Sequence, residues 1–161
     1  MTITWIQAIL FGLLACLASM PGMGGTAIGN YTLGRPLVAG LIVGLIVGDV
    51  STGIMVGAAI QVIYIALVTP GGTVSADVRA ISYIGIPLSI AAIKGLGIDP
   101  STVEAAQMAA ALGAAVGTLG TVLFYGTATM NLVWQHIGWK AVEKGDFKKL
   151  YAVDMTVSYT H

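Results

Sequence analysis

The chain has 161 residues, with seven basic against seven acidic side chains and no net charge. It is 57% hydrophobic and 9% charged, where a soluble domain carries about 25% charge. Neutral charge excludes an electrostatic footprint for nucleic acid, the single Cys16 excludes an internal disulfide, and the composition argues against a soluble domain. Mean hydropathy is +0.90, and the 22 glycines suit close helix packing in a bilayer.

In chain order, Ile3 to Met20 is an apolar run of 18 residues, near the lower limit for a span, with Trp5 suited to the headgroup level. No basic stretch precedes it, so a retained helix is expected rather than a cleaved leader. The run ends in a backbone break at Met20-Pro21-Gly22-Met23-Gly24-Gly25. Thr26 to Leu33 is polar, and reads either as re-entrant or unwound chain or as a plain turn. Arg35-Pro36 then opens a helix. Gly40, Gly44 and Gly48 recur every fourth position and predict a smooth face for a neighbouring helix. Asp49 is expected to cap or sit at an interface, with Ser51 or Thr52 capping the helix after it.

Gly53 to Val68 is apolar apart from the amide at Gln61. As a helix it places Gly57, Gln61 and Tyr64 on one face. The run breaks at Thr69-Pro70-Gly71-Gly72-Thr73 and reaches Asp77 beside Arg79. Backbone freed by such a break must be buried in protein or face a water-filled cavity, and polar groups at membrane depth are candidates for a substrate path. For Gln61 the plainer reading is a hydrogen bond to a neighbouring helix, and for Asp77 an exposed ion pair. Pro21-Gly22 and Pro70-Gly71-Gly72 echo one another, as paired broken segments do in transporters.

Ile81 to Ile93 contains Pro87, which predicts a kinked or shortened helix. Lys94 to Glu104 reads as a polar connection, with Asp99-Pro100-Ser101 starting the next helix. Ala105 to Val133 is 29 residues without charge, long enough to span with tilt, and Tyr125 and Trp134 suit interfaces. From Lys140 the chain turns basic, which predicts a cytoplasmic side. No nucleotide fingerprint, metal set or nucleophile arrangement occurs, so neither a cofactor nor catalysis by this chain is expected. The expected fold is an all-α integral membrane protein, a bundle of transmembrane helices with broken or re-entrant segments. Residues 1–139 would be membrane-embedded and residues 140–161 a Lys-containing cytoplasmic-side segment.

Arg35-Pro36-Leu37, Gly48-Asp49-Val50-Ser51-Thr52-Gly53, Gly57-Ala58-Ala59-Ile60-Gln61 and the segment ending Ala76-Asp77 fall in an order and spacing of their own. With Trp134-Gln135-His136 and the Lys-rich stretch, they resemble the enzyme IIC subunit of the mannose–fructose–sorbose family of the sugar phosphotransferase system. The resemblance covers essentially the whole chain. It implies a multi-pass permease of the bacterial cell membrane, paired with a IID subunit and assembled as a trimer of such pairs. It implies a sugar held between mobile and fixed parts, in an elevator-like arrangement. It implies cytoplasmic partners, a IIA that phosphorylates IIB on histidine and a IIB that phosphorylates the incoming sugar, the phosphoryl group coming ultimately from phosphoenolpyruvate. Gln61 and Asp77 match positions expected to line the sugar path, with Tyr64 and Thr69 beside them. Two departures stand out. Mannose-type members carry Glu where this chain has Gln61, which bears on sugar preference. Family members are also longer, so residues 140–161 read as a truncated continuation. The alternative reading is a non-transporting membrane scaffold or assembly partner, or an inactive fragment.

Overall fold

The computed structural model describes residues 2–19, 32–65 and 76–159, and every regular element among them is helical. The chain divides into two compact units, Met1–Thr121 and Val122–His161.

In the first unit, α1 (Trp5–Ser19) starts at a reciprocal cap. The Thr4 N–H donates to Gln7 Oε1 at 3.0 Å and the Gln7 N–H to Thr4 Oγ1 at 3.3 Å, so two helix-end donors are satisfied at once. Helix α2 (Pro36–Val47) has proline in its first turn, behind Arg35 in extended backbone. It stops at Gly48, whose φ of 81° a residue with a Cβ rarely adopts. Asp49 follows at once as the N-cap of α3 (Val50–Tyr64), so two residues join the antiparallel helices. The expected small-residue face forms from Gly40 and Gly44 of α2 against Gly53 and Gly57 of α3. A methyl on Gly44 would lie 2.9 Å from the Asp49 carbonyl oxygen, so these backbones touch. Gly48 is not on that face; it ends the helix. The cap is Asp49 rather than Ser51 or Thr52: its carboxylate accepts the Thr52 N–H at 3.1 Å and the Thr52 hydroxyl at 2.7 Å.

Helix α4 (Val78–Leu96) is continuous but changes pitch. One α turn, Val78–Ala80, leads into a π segment, Ile81–Gly85, and then into α structure over Ile86–Leu96. Pro87 sits in the first turn after the π segment, where the ladder is already re-registered and its missing N–H costs least. Lys94 lies in the last turn of α4, not in the connection, and pairs with Asp49 at 2.6 Å. Asp99 then accepts from the Ser101 N–H and hydroxyl in a turn, and Thr102 caps α5 (Val103–Glu143) by accepting the Ala105 N–H. The helix therefore begins a few residues later than Asp99-Pro100-Ser101 implies.

Contacts set the directions of these helices. Gln7 near the start of α1 donates to the Ile46 carbonyl at the end of α2, and Asp49 at the start of α3 meets Lys94 at the end of α4. Gly113, Gly117 and Gly120 of α5 receive Ile81, Ala80 and Asp77 from the start of α4. Neighbouring helices thus run up and down. The core is Val43, Ile60, Ile81, Tyr83, Ile86, Ile90 and Ile93, while large apolar side chains such as Trp5, Leu13, Leu45 and Val62 point outward. An apolar exterior of that extent suits lipid or a protein partner. By length and composition α4 and α5 reach a membrane span; α1, α2 and α3 are apolar but shorter.

In the second unit, the C-terminal part of α5 meets α6 (Phe147–Tyr159) across Gly138, which faces Leu150 and Val153. Asp146 caps α6 through the Lys149 N–H.

Candidate functional site

The polar side chains of the first unit collect at two ends. One end holds Gln7, Asp49, Thr52 and Lys94, whose polar groups are engaged with one another or with backbone. The other is built from the end of α3, the start of α4, the chain leading into α2 and the glycine face of α5.

Gln61 lies one turn beyond Gly57, which packs on the Pro36 carbonyl at the very start of α2. The antiparallel register therefore carries Gln61 past the start of α2, to the level of the preceding chain around Thr32–Gly34. Its side-chain oxygen Oε1 is buried and has no hydrogen-bond partner among the described residues. Leaving such an acceptor unpaired costs about 1–3 kcal/mol. Native structures keep few such groups, and a ligand is one way to satisfy them. The plainer expectation, that Gln61 hydrogen-bonds a neighbouring helix, is not met at Oε1, which accepts no bond from the described residues.

Asp77 is the N-cap of α4, and its side chain is 17% exposed. Its Oδ1 accepts the Arg79 N–H at 3.0 Å, the Ala80 N–H at 3.3 Å and the Arg79 guanidinium Nε–H at 3.3 Å. All three fall on one oxygen, which leaves Oδ2 open among the described residues. The Asp77 backbone is pinned to α5 through a 3.3 Å bond from its N–H to the Gly117 carbonyl. The side chain rests where Gly120 offers no Cβ; a methyl there would lie 2.8 Å from Asp77 Cβ. The Asp77–Arg79 pair anticipated from sequence is present and half-buried rather than freely exposed.

Tyr64 closes α3, half-buried against the core. Gln61 and Asp77 reach the same end of the bundle, because Ile60 beside Gln61 and Ile81 one turn after Asp77 both pack on Gly113. Thr69, Pro21, Gly22, Pro70, Gly71 and Gly72 lie outside the described residues.

Sequence reasoning passed over Ser82 and Tyr83. Both are buried, and both reach nearly fifty residues back in the chain. The Ser82 hydroxyl donates to the Gly34 carbonyl at 3.0 Å and the Tyr83 hydroxyl to the Leu33 carbonyl at 2.8 Å. The signal available was two adjacent hydroxyls inside an apolar run shortly before a proline. Among the described residues, this end of the bundle thus offers two open acceptors, Gln61 Oε1 and Asp77 Oδ2, the second on a carboxylate paired with the Arg79 guanidinium. That set can take hydroxyl donors from an uncharged polyol.

Comparison with known proteins agrees on one group. The profile of a family described as "PTS system sorbose-specific iic component" matches residues 5–160. A mannose-specific EIIC component of the PTS system from Escherichia coli K12 is 30% identical over 146 residues, which is 91% of this chain and 50% of that protein. A sorbose-specific EIIC component from Klebsiella pneumoniae is 29% identical over 150 residues, 93% of this chain and 51% of that one. The chain spans about half the length of these relatives. Among solved structures, a complex of the mannose transporter ManYZ with microcin E492 contains a chain that matches with a TM-score of 0.72 at 26% identity. That match covers 99% of this chain and 59% of the other.

Proposed function

The chain belongs to the family of sorbose-specific IIC components of the PTS system, and on that premise we propose that it is a sugar-translocating membrane subunit of a phosphotransferase system. In this reading the chain is a permease that performs no phosphoryl transfer itself. It resides in the bacterial plasma membrane as a multi-pass bundle, with residues 1–139 embedded and residues 140–161 on the cytoplasmic side. It pairs with a IID-type membrane subunit in a trimer of pairs, while cytoplasmic IIA and IIB deliver phosphate to the arriving sugar. The mannose-transporter complex that matches the fold supports such a membrane partnership.

The sugar path is assigned to Gln61 and Asp77, with Tyr64 and Thr69 beside them. The segments around Pro21-Gly22 and Pro70-Gly71-Gly72 are assigned as broken or re-entrant chain. The observation that carries the site is the buried, unpartnered carboxamide oxygen of Gln61 at the end of the bundle that Asp77 also reaches. A sugar hydroxyl donating to that oxygen supplies the missing bond, and another donating to Asp77 Oδ2 orients the ring. Neither contact requires a charged substrate, because Arg79 already balances Asp77.

The test is Gln61→Leu in cells carrying the complete transport system. Uptake of the preferred sugar is expected to fall by on the order of a hundredfold, since both the acceptor and the donor amide are lost in a dry site. The amount of chain in the membrane stays unchanged. Uptake at the wild-type rate would remove Gln61 from the path.

A further inference from the structure

The chain leading into α2 carries two carbonyls, of Leu33 and Gly34, that lie before the helix and have no place in its ladder. In an apolar bundle such groups need partners. Both are met from one place, the π segment of α4. Ser82 and Tyr83, adjacent in sequence and at most 1% exposed, donate to the adjacent Gly34 and Leu33 carbonyls. The wider π turn buries Ile81, Ser82, Tyr83, Gly85 and Ile86 together and leaves Ile84 as the outward residue. Both hydroxyls can therefore turn inward while the helix beyond keeps Ile86, Ile90 and Ile93 in the core.

The carbonyls so held stand at the level to which the α2–α3 register carries Gln61. Ser82 and Tyr83 thus tie down the Leu33–Gly34 chain, while Gln61 Oε1 has no partner among the described residues. We propose that Ser82 and Tyr83 are positioning residues: a clasp on the chain leading into α2 that sets how closely this chain approaches Gln61, and through it the affinity for a neutral polyol hydroxyl. The affinity part rests on the sugar reading above; the clasp itself does not.

The test uses the full chain in its host membrane, with Cys16→Ala to remove the exposed native thiol. The thiol introduced by Gln61→Cys reports access to this position by its rate of maleimide labelling. With Tyr83→Phe or Ser82→Ala added, that rate is expected to change several-fold. In chains that keep Gln61, the sugar concentration giving half-maximal uptake rises about tenfold per lost bond, while maximal uptake per molecule is retained. An unaltered labelling rate overturns the clasp, whatever happens to uptake. Altered labelling in a complex that moves no sugar even in the wild type leaves the clasp standing and removes the sugar reading. Altered labelling with unchanged half-saturation makes the clasp a purely structural feature and overturns its positioning role. If Tyr83→Phe fails to reach the membrane, Ser82→Ala, which deletes a single oxygen, carries the same comparison.

Discussion

Two aspartates of this chain do the same local job and differ in what they leave over. Asp49 and Asp77 each begin a helix by accepting backbone N–H groups. Asp49 spends both oxygens: Oδ1 takes the Thr52 N–H, and Oδ2 takes the Thr52 hydroxyl and the Lys94 ammonium. Asp77 concentrates its three bonds on Oδ1. The first is therefore a joint between α3 and α4, and the second keeps an acceptor free for the proposed sugar path. The joint has a pH signature. The Lys94 ammonium, then the Thr52 hydroxyl and N–H, lower the Asp49 carboxyl from 3.8 to about 2. A carboxyl whose folded pKa lies below its unfolded value stabilises the fold at neutral pH. That contribution begins to fade as pH drops below about 4 and is gone once pH passes below the folded value. With the side chain 24% exposed, about 1–2 kcal/mol is expected after allowing for solvent screening. Melting of the purified protein in detergent should fall between pH 5 and pH 2 by that amount more than melting of Asp49→Asn. The variant should already be less stable at pH 7. Identical pH profiles for the two proteins would show that the Asp49–Lys94 pair contributes nothing.

At the scale of elements, the α2–α3 hairpin was the most legible part of the chain and α4 the least. Gly40 and Gly44 announce a close backbone contact, because only residues without a Cβ allow it; that Gly53 and Gly57, and not Gly48, complete it is seen only in the structure. Gly53→Ala should be costly: its methyl would lie 2.6 Å from Gly44 Cα, backbone against backbone, with no flexible side chain to yield. Separating the helices to relieve that overlap is expected to cost about 1–3 kcal/mol, read as a drop in melting temperature. Gly95→Ala is the matched control, a helical glycine with nothing within 4 Å, and should be neutral or gain up to about 1 kcal/mol. Equal effects at the two positions would mean that the hairpin does not pack through its glycines. The π segment of α4 was hidden for a physical reason. One extra residue in a turn leaves no mark in composition, and its effect, burying Ile81, Ser82 and Tyr83 side by side, exists only against α1, α2 and α5. Lys94 was misplaced for a related reason. A lysine at a helix end looks like a loop residue until its partner, forty-five residues earlier in the chain, is known.

At the scale of the molecule, the apolar runs announce a helical membrane bundle, and the polar residue in the wrong place, Gln61, marks one end of it. The sequence pattern does not say which oxygen at that end remains open, because that depends on how three donors are shared around Asp77. Orientation is a separate matter, decided by charge across the bilayer rather than by packing. Lys140, Lys144, Lys148 and Lys149 stand against Glu143 and Asp146 over ten residues, at and just beyond the end of a helix apolar enough to span. Lysine near a span end resists translocation far more than the nearby acidic residues favour it, and the proposed function accordingly puts this segment on the cytoplasmic side. Lys144 lies in the exposed turn between α5 and α6, where a substituted thiol is reachable without disturbing either helix. Lys144→Cys in the Cys16→Ala background should therefore react with a membrane-impermeant maleimide in inside-out vesicles. In intact cells it should react only after permeabilisation. Labelling in intact cells would place the Lys-rich segment outside and overturn the proposed orientation.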